Sequence, residues 1–150
     1  MTRWLDDAQQ SAWRKLVRVA ELLPASLDSQ LRRDADLTHF DYMVLAMLSE
    51  APDRTLRMTR LAELTTSTLP RLSHVASRLE QRKLIERMPC PEDRRATNAR
   101  LTDSGWDTVV ATAPGHVATV LAEVFNRLDD RDVKDLDRVM GKILGSSPVE

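Results

Sequence analysis

At 150 residues and 17.0 kDa the chain is long enough for one core with an appended arm and too short for two. Hydrophobic residues make up 42% and charged residues 30%, four Gly and seven Pro exclude a collagen-like or Gly-rich chain, and the single cysteine, Cys90, excludes an intrachain disulfide or multi-thiolate metal site. The net charge of −1 hides an asymmetry: Arg54 to Arg100 holds eleven Arg or Lys against five Asp or Glu, a local +6 that leaves −7 on the remainder, and clustered cations are what a polyanion requires.

Trp13, Leu16, Val17, Ala20 and Leu23 recur at spacings of three and four and predict a first helix. Pro24 should kink or break it, and Leu27 and Leu31 carry the pattern on to about Ala35. Thr38 with Asp41 three places on is a capping box for a second helix, whose apolar stripe is Phe40, Val44, Met47 and Leu48, ending at Ala51-Pro52-Asp53. Leu56, Leu61 and Leu64 mark a short third helix from about Arg57 to Leu64, and Thr65-Thr66-Ser67 is a polar turn. A fourth helix is expected from about Thr68 to Lys83, with Leu72, Val75, Ala76 and Leu79 inward. Thr68 would cap it and Pro70 would sit in its first turn, where a missing N–H costs nothing.

Leu84 to Met88 reads as a strand, Pro89 to Arg95 as a long charged loop, and Thr97 to Leu101 as the returning strand. From Thr102 or Asp103 a fifth helix is expected, with one stripe from Trp106 through Val110, Ala113, Val117, Val120, Leu121 and Val124 to Leu128, bent at Pro114-Gly115. That stripe is too long for a small core to cover. Asp129, with Asp132 three places on, caps a last helix lined by Val133, Leu136, Met140, Ile143 and Leu144 and stopped by Gly145. No stretch reads as the roughly 18 uncharged apolar residues that span a bilayer. The N-terminus carries Asp6 and Asp7 where a signal peptide would have its apolar core, so a cytoplasmic location is expected.

Short helix, turn, longer helix and hairpin form a winged helix-turn-helix, a mainly α fold with a small β wing. In that arrangement the longer helix presents polar or cationic side chains to a DNA groove. The candidate DNA-binding residues are Thr66, Ser67 and Thr68 at its tip, and Arg71, Ser73, His74 and Arg78 along it. In the hairpin they are Asp93, Arg94 and Arg95, since an Arg on a wing can enter a minor groove and a nearby acid can orient its guanidinium. The histidines lack metal-ligand spacing, and neither a metal nor a cofactor is expected. No Gly-rich phosphate loop, His-Glu-X-X-His or paired nucleophile and base suggests an enzyme. A winged helix used only for protein contacts would not need Arg71, Arg94 and Arg95 on one side.

The runs Leu61-Ala62-Glu63-Leu64 and Arg78-Leu79-Glu80-Gln81-Arg82-Lys83-Leu84-Ile85-Glu86-Arg87 resemble the MarR family of regulators. So do Pro91-Glu92-Asp93-Arg94-Arg95 and Leu101-Thr102-Asp103-Ser104-Gly105, and the resemblance extends from about Ala8 to Leu144. It implies a homodimeric transcriptional regulator, most simply a repressor, binding a pseudo-palindromic double-stranded operator. Residues 1–150 would form one domain, with about 36–101 as the DNA-binding lobe and about 4–35 and 102–145 as dimerisation helices. It further implies a small aromatic or anionic effector held between the two layers, with Trp13, His39, Tyr42, Met43 and Arg57 as candidate contacts. Cys90 beside the basic wing offers a second reading, a thiol-based redox sensor.

Overall fold

The first helix opens on Asp6, whose carboxylate accepts from the Gln9 N–H at 2.8 Å while the Gln9 side chain accepts from the Asp6 N–H, a reciprocal cap. In this computed structural model, which describes residues 1–145, that helix is α1, Asp7–Ala35. The last five positions of the expected 1–150 domain lie outside the described residues. Pro24 neither breaks α1 nor divides it. It sits on an exposed face, as does Ala20, whose carbonyl loses its intrahelical partner there, so water can satisfy the freed oxygen. At the other end Asp36 turns left-handed (φ 50°), and the Arg82 guanidinium donates to the carbonyls of Asp36 (2.7 Å) and Ala35 (3.2 Å).

Thr38 and Asp41 form the expected box at the start of α2, His39–Glu50. A turn over Pro52–Arg54 then leads into a strand that the sequence reading missed: β1, Thr55–Arg57. Leu56 therefore lies in a sheet, and the third helix, α3, begins one residue beyond the expected Arg57, as Met58–Leu64. A three-residue strand is too short to show a period, and its state is set by its partner. α4 spans Leu69–Gln81 with Thr68 as its cap and Pro70 in its first turn.

The hairpin also departs from expectation. β2 is Ile85–Cys90 and β3 is Asp93–Leu101, so the long loop shrinks to Pro91-Glu92. Asp93, Arg94 and Arg95 belong to a strand. The sheet order is β1-β3-β2, all antiparallel, with Leu56 opposite Ala99 and Arg87 opposite Ala99 on the other side. Pro89 is tolerated because β2 is an edge strand with an irregularity at Pro89/Cys90.

α5, Asp103–Glu123, is capped by Thr102 and runs on through Pro114, and α6, Asp130–Leu144, carries the Asp129–Asp132 box. α5 stops short of the expected Leu128, which follows a separate turn at Phe125–Arg127. Its buried face is Gly105, Val109 and Thr112, not the expected stripe: Val110 is 54% and Val117 52% exposed. Contrary to the sequence reading, Asp103–Arg127 is long and apolar enough to cross a bilayer by length and composition alone. The core gathers where α1's C-terminal end, α2, α3, α4 and the sheet meet, around Leu31, Leu37, Val44, Leu45, Leu48, Leu61, Leu72 and Leu79. Burying each such leucine or valine contributes about 1.5–3 kcal/mol. No described residue of α6 is buried, and Val133, Val139, Ile143 and Leu144 stand exposed on it.

Candidate nucleic-acid interface

Leu72, Val75, Ala76 and Leu79 anchor α4 to the core, so its other face must look outward. The turn before it closes through Ser67 N–H to the Ala62 carbonyl (2.8 Å), with Thr66 left-handed at φ 50°. The Thr68 hydroxyl then accepts from the Arg71 N–H at 3.3 Å. Thr66, Thr68, Arg71 and His74 are exposed at this end of the helix, and Ser67 is half-buried. Arg71 lies over the Phe40 ring, 4.3 Å from guanidinium carbon to centroid, which steadies the cation without neutralising it.

Two residues expected on the same face are engaged inside the protein. Arg78 pairs with Asp41, whose side chain is 4% exposed and whose other oxygen caps α2, so Arg78 seats the helix on its neighbour. Ser73 turns toward the wing and accepts from Arg87 Nη1 at 3.2 Å. Helical spacing put both near the face but did not fix which flank each occupies.

In the wing, Arg94 and Arg95 are exposed on β3. Asp93 does not hold the Arg95 guanidinium as expected: its Oδ1 accepts from the Arg95 backbone N–H at 3.0 Å, which shapes the turn and leaves the cation free of a salt-bridge partner among the described residues. A cavity of about 200 Å³ runs between the start of α4 and the wing, with Leu69 and Ser73 on one wall and Arg95 and Thr97 on the other. Helix tip and wing thus open onto one groove.

Sequence reasoning did not single out Arg87. It lies on β2, and its guanidinium reaches Glu80 (2.9 and 3.2 Å), Ser77 (2.8 Å) and Ser73 along α4. The pair lies seven residues apart across a helix end, where no periodicity links the two partners. The Arg87 hydrogen bonds hold the Glu80 carboxyl below its ordinary value.

The five effector candidates do not come together. Trp13 is 54% exposed on the free half of α1, and Arg57 lies on β1 with Nη2 3.7 Å from the Cys90 sulfur. Met43 is half-buried in α2. His39 and Tyr42 instead meet His116 of α5, at ring-centroid distances of 6.3 and 4.5 Å. Burial holds both imidazoles below their ordinary pKa, partly opposed at His39 by Asp28 and reinforced at His116 by His39. A separate cleft of about 600 Å³ opens between α1 and α4, lined by Arg32, Phe40, Arg71 and His74 among others, and of the five candidates only His39 reaches it. Cys90 is 4% exposed. The Glu92 N–H holds its thiol below the usual value, while burial covers the sulfur that a redox sensor must expose. Among the described residues no group of His, Cys, Asp and Glu could hold a metal ion.

Comparison with known proteins places this geometry among relatives. The model of the MarR family matches residues 37–97. Sco3205, a MarR family transcriptional regulator from Streptomyces coelicolor solved in complex with DNA, is 42% identical, with a TM-score of 0.93 over 96% of this chain and 90% of that one. AbsC, another MarR family transcriptional regulator from the same organism, is 38% identical, with a TM-score of 0.90 over 95% of this chain and 96% of that one. The HTH-type transcriptional regulator YdcH of Bacillus subtilis, itself uncharacterized, is 31% identical over 81 residues, a match spanning 53% of this chain and about half, 55%, of that relative.

Proposed function

This chain belongs to the MarR family, and on that footing we propose that it is a homodimeric, cytoplasmic transcriptional regulator that reads a pseudo-palindromic duplex operator, acting as a repressor rather than as an enzyme. The observation that carries this reading is the cavity between the start of α4 and the wing, lined by Arg95, with Arg71 exposed on α4 and Arg94 exposed on the wing. In it, α4 enters the major groove with Thr66, Ser67, Thr68, Arg71 and His74 foremost, while Arg94 and Arg95 follow the backbone into the adjacent minor groove. Asp93 shapes the wing turn, and Ser73 and Arg78 hold α4 in place. The DNA-bound relative at 42% identity supports the same use of the lobe.

Residues of about 36–101 form the DNA-reading lobe in this proposal, and about 4–35 and 102–145 form the dimer layer. The exposed apolar residues of α1, α5 and α6 support that division, because a second copy would cover them. The same covering accounts for the apolar length of α5 without a membrane. The cleft between α1 and α4 suits a small aromatic or anionic effector, with Phe40 for stacking, Arg71 for charge and His74 for hydrogen bonding.

The test is a fluorescence anisotropy titration of duplex DNA from the region upstream of the protein's own coding sequence, repeated across salt concentrations. The slope of log affinity on log salt should be roughly −0.9 per phosphate neutralised. Arg95→Ala should cost about tenfold or more in affinity with unchanged thermal melting. Indifference of the wild-type protein to every duplex at low salt would refute the reading.

A further inference from the structure

We propose that Arg87 is a positioning residue that fixes the wing against the recognition helix and so sets the spacing at which the two reach DNA. The claim rests on the DNA-binding reading above but adds a residue and a role to it. Arg87 sits on β2, at the base of the hairpin, opposite Ala99 of β3. Its guanidinium spans positions 73, 77 and 80 of α4, successive turns along one flank of the helix. Nη2 donates to Ser77 Oγ at 2.8 Å, Nη1 to Ser73 Oγ at 3.2 Å, and Nε to Glu80 Oε1 at 2.9 Å. The Arg87 backbone N–H adds a further bond to Glu80 Oε1 at 2.8 Å, so strand and side chain are tied to the same carboxylate.

This arrangement differs from a surface ion pair. The Arg87 side chain is 24% exposed and the Glu80 side chain 31%, and the fork engages three partners on one rigid helix. A lysine would hold a single point and leave the hydroxyls of Ser73 and Ser77 without their donor. The hairpin has no helix of its own beneath its outer half, where Pro91, Glu92, Asp93, Arg94 and Arg95 are all exposed. Its angle to α4 is therefore set at its base. Arg87 also lies beside the cavity that separates the α4 tip from the wing, while its donors point at α4 and not outward. It acts through Arg94 and Arg95, with no phosphate of its own to neutralise.

The experiment compares wild type, Arg87→Gln and Arg87→Lys in two measurements. In the DNA-free protein, hydrogen exchange of the wing amides should quicken about tenfold in Arg87→Gln and by less in Arg87→Lys, while amides in α5 keep their rates. On operator duplex, Arg87→Gln should bind about tenfold more weakly, and in the Arg95→Ala background it should add little further loss in affinity or in salt slope. A slope that falls by a further roughly 0.9 when Arg87→Gln is added to Arg95→Ala would make Arg87 a direct phosphate contact and overturn the proposal. Wing exchange that stays at the wild-type rate, or losses that simply add to those of Arg95→Ala, would overturn it too. Should Arg87→Gln fail to fold, Ser77→Ala removes one bond of the fork, and an unaltered wing in that variant counts against the claim. A wild-type protein that ignores DNA would sink the functional reading, whereas the exchange measurement decides separately whether Arg87 holds the wing.

Discussion

Gly105 shows what a single residue decides here. A Cβ at that position would lie 2.1 Å from the Leu84 carbonyl oxygen and 2.6 Å from Leu101 Cδ1. The Leu84 carbonyl already accepts from the Thr102 N–H at 3.1 Å, so the backbone on that side is fixed and cannot yield. Gly105→Ala should therefore destabilise the protein by about 1–3 kcal/mol or more, read as a lower urea midpoint at unchanged slope. Other residues took roles that spacing alone could not assign. By spacing Arg78 is a groove contact, one turn beyond His74. In the fold it meets buried Asp41, a partner 37 residues away.

Among the elements, those defined by local chemistry were legible in the sequence. Thr38 with Asp41 and Asp129 with Asp132 each place a side-chain acceptor three residues from a free N–H, and both boxes formed. The end of α4 follows another local rule, although the residue there is an unusual choice. Lys83 adopts φ 60° just past the helix, with its N–H on the Glu80 carbonyl (2.8 Å) and the Leu84 N–H on that of Leu79 (3.0 Å). A lysine in this conformation costs roughly 1–2 kcal/mol that glycine does not. Part of the gain from replacement is lost to the freer unfolded chain. Lys83→Gly should thus stabilise by up to about 1 kcal/mol, measured as a higher melting temperature. The strands were harder to place. β1 is three residues long, β2 closes on Pro89-Cys90 and β3 opens on Asp93-Arg94-Arg95, so their pairing, rather than any alternation, defines them.

Across the whole molecule, His39 of α2 and His116 of α5 join the proposed DNA-reading lobe to the proposed dimer layer, their ring centroids 6.3 Å apart. Both lie partly buried, each with an Nδ1 that finds no partner among the described residues, and burial holds both below their ordinary value of 6.5. The unfolded chain therefore binds more protons than the folded one near that pH. Stability is fully present above about pH 6.5 and declines as pH falls through 6.5 toward the folded values. Asp28 opposes the shift at His39, whereas His39 reinforces the shift at His116. Denaturation midpoints between about pH 5 and pH 8 should show this decline, and His116→Gln should flatten it. An unchanged profile in that variant would remove His116 from the linkage.

What the sequence determined by itself is local: helix periods, caps and stops, and the cation excess between Arg54 and Arg100, each written in neighbours a few positions apart. The winged helix-turn-helix was legible because its order of elements is a linear pattern. Only the tertiary structure decided which flank of α4 faces the wing, that Pro24 and Pro114 leave their helices continuous, and that Val110, Val117 and Leu121 of the α5 stripe stay exposed in the single chain. It also brought His116 to His39 and Arg87 to Glu80. The reason is physical. A helix repeat gives each residue an angle about its axis, but the contact it makes depends on how elements distant in the chain pack, and no local spacing encodes that packing.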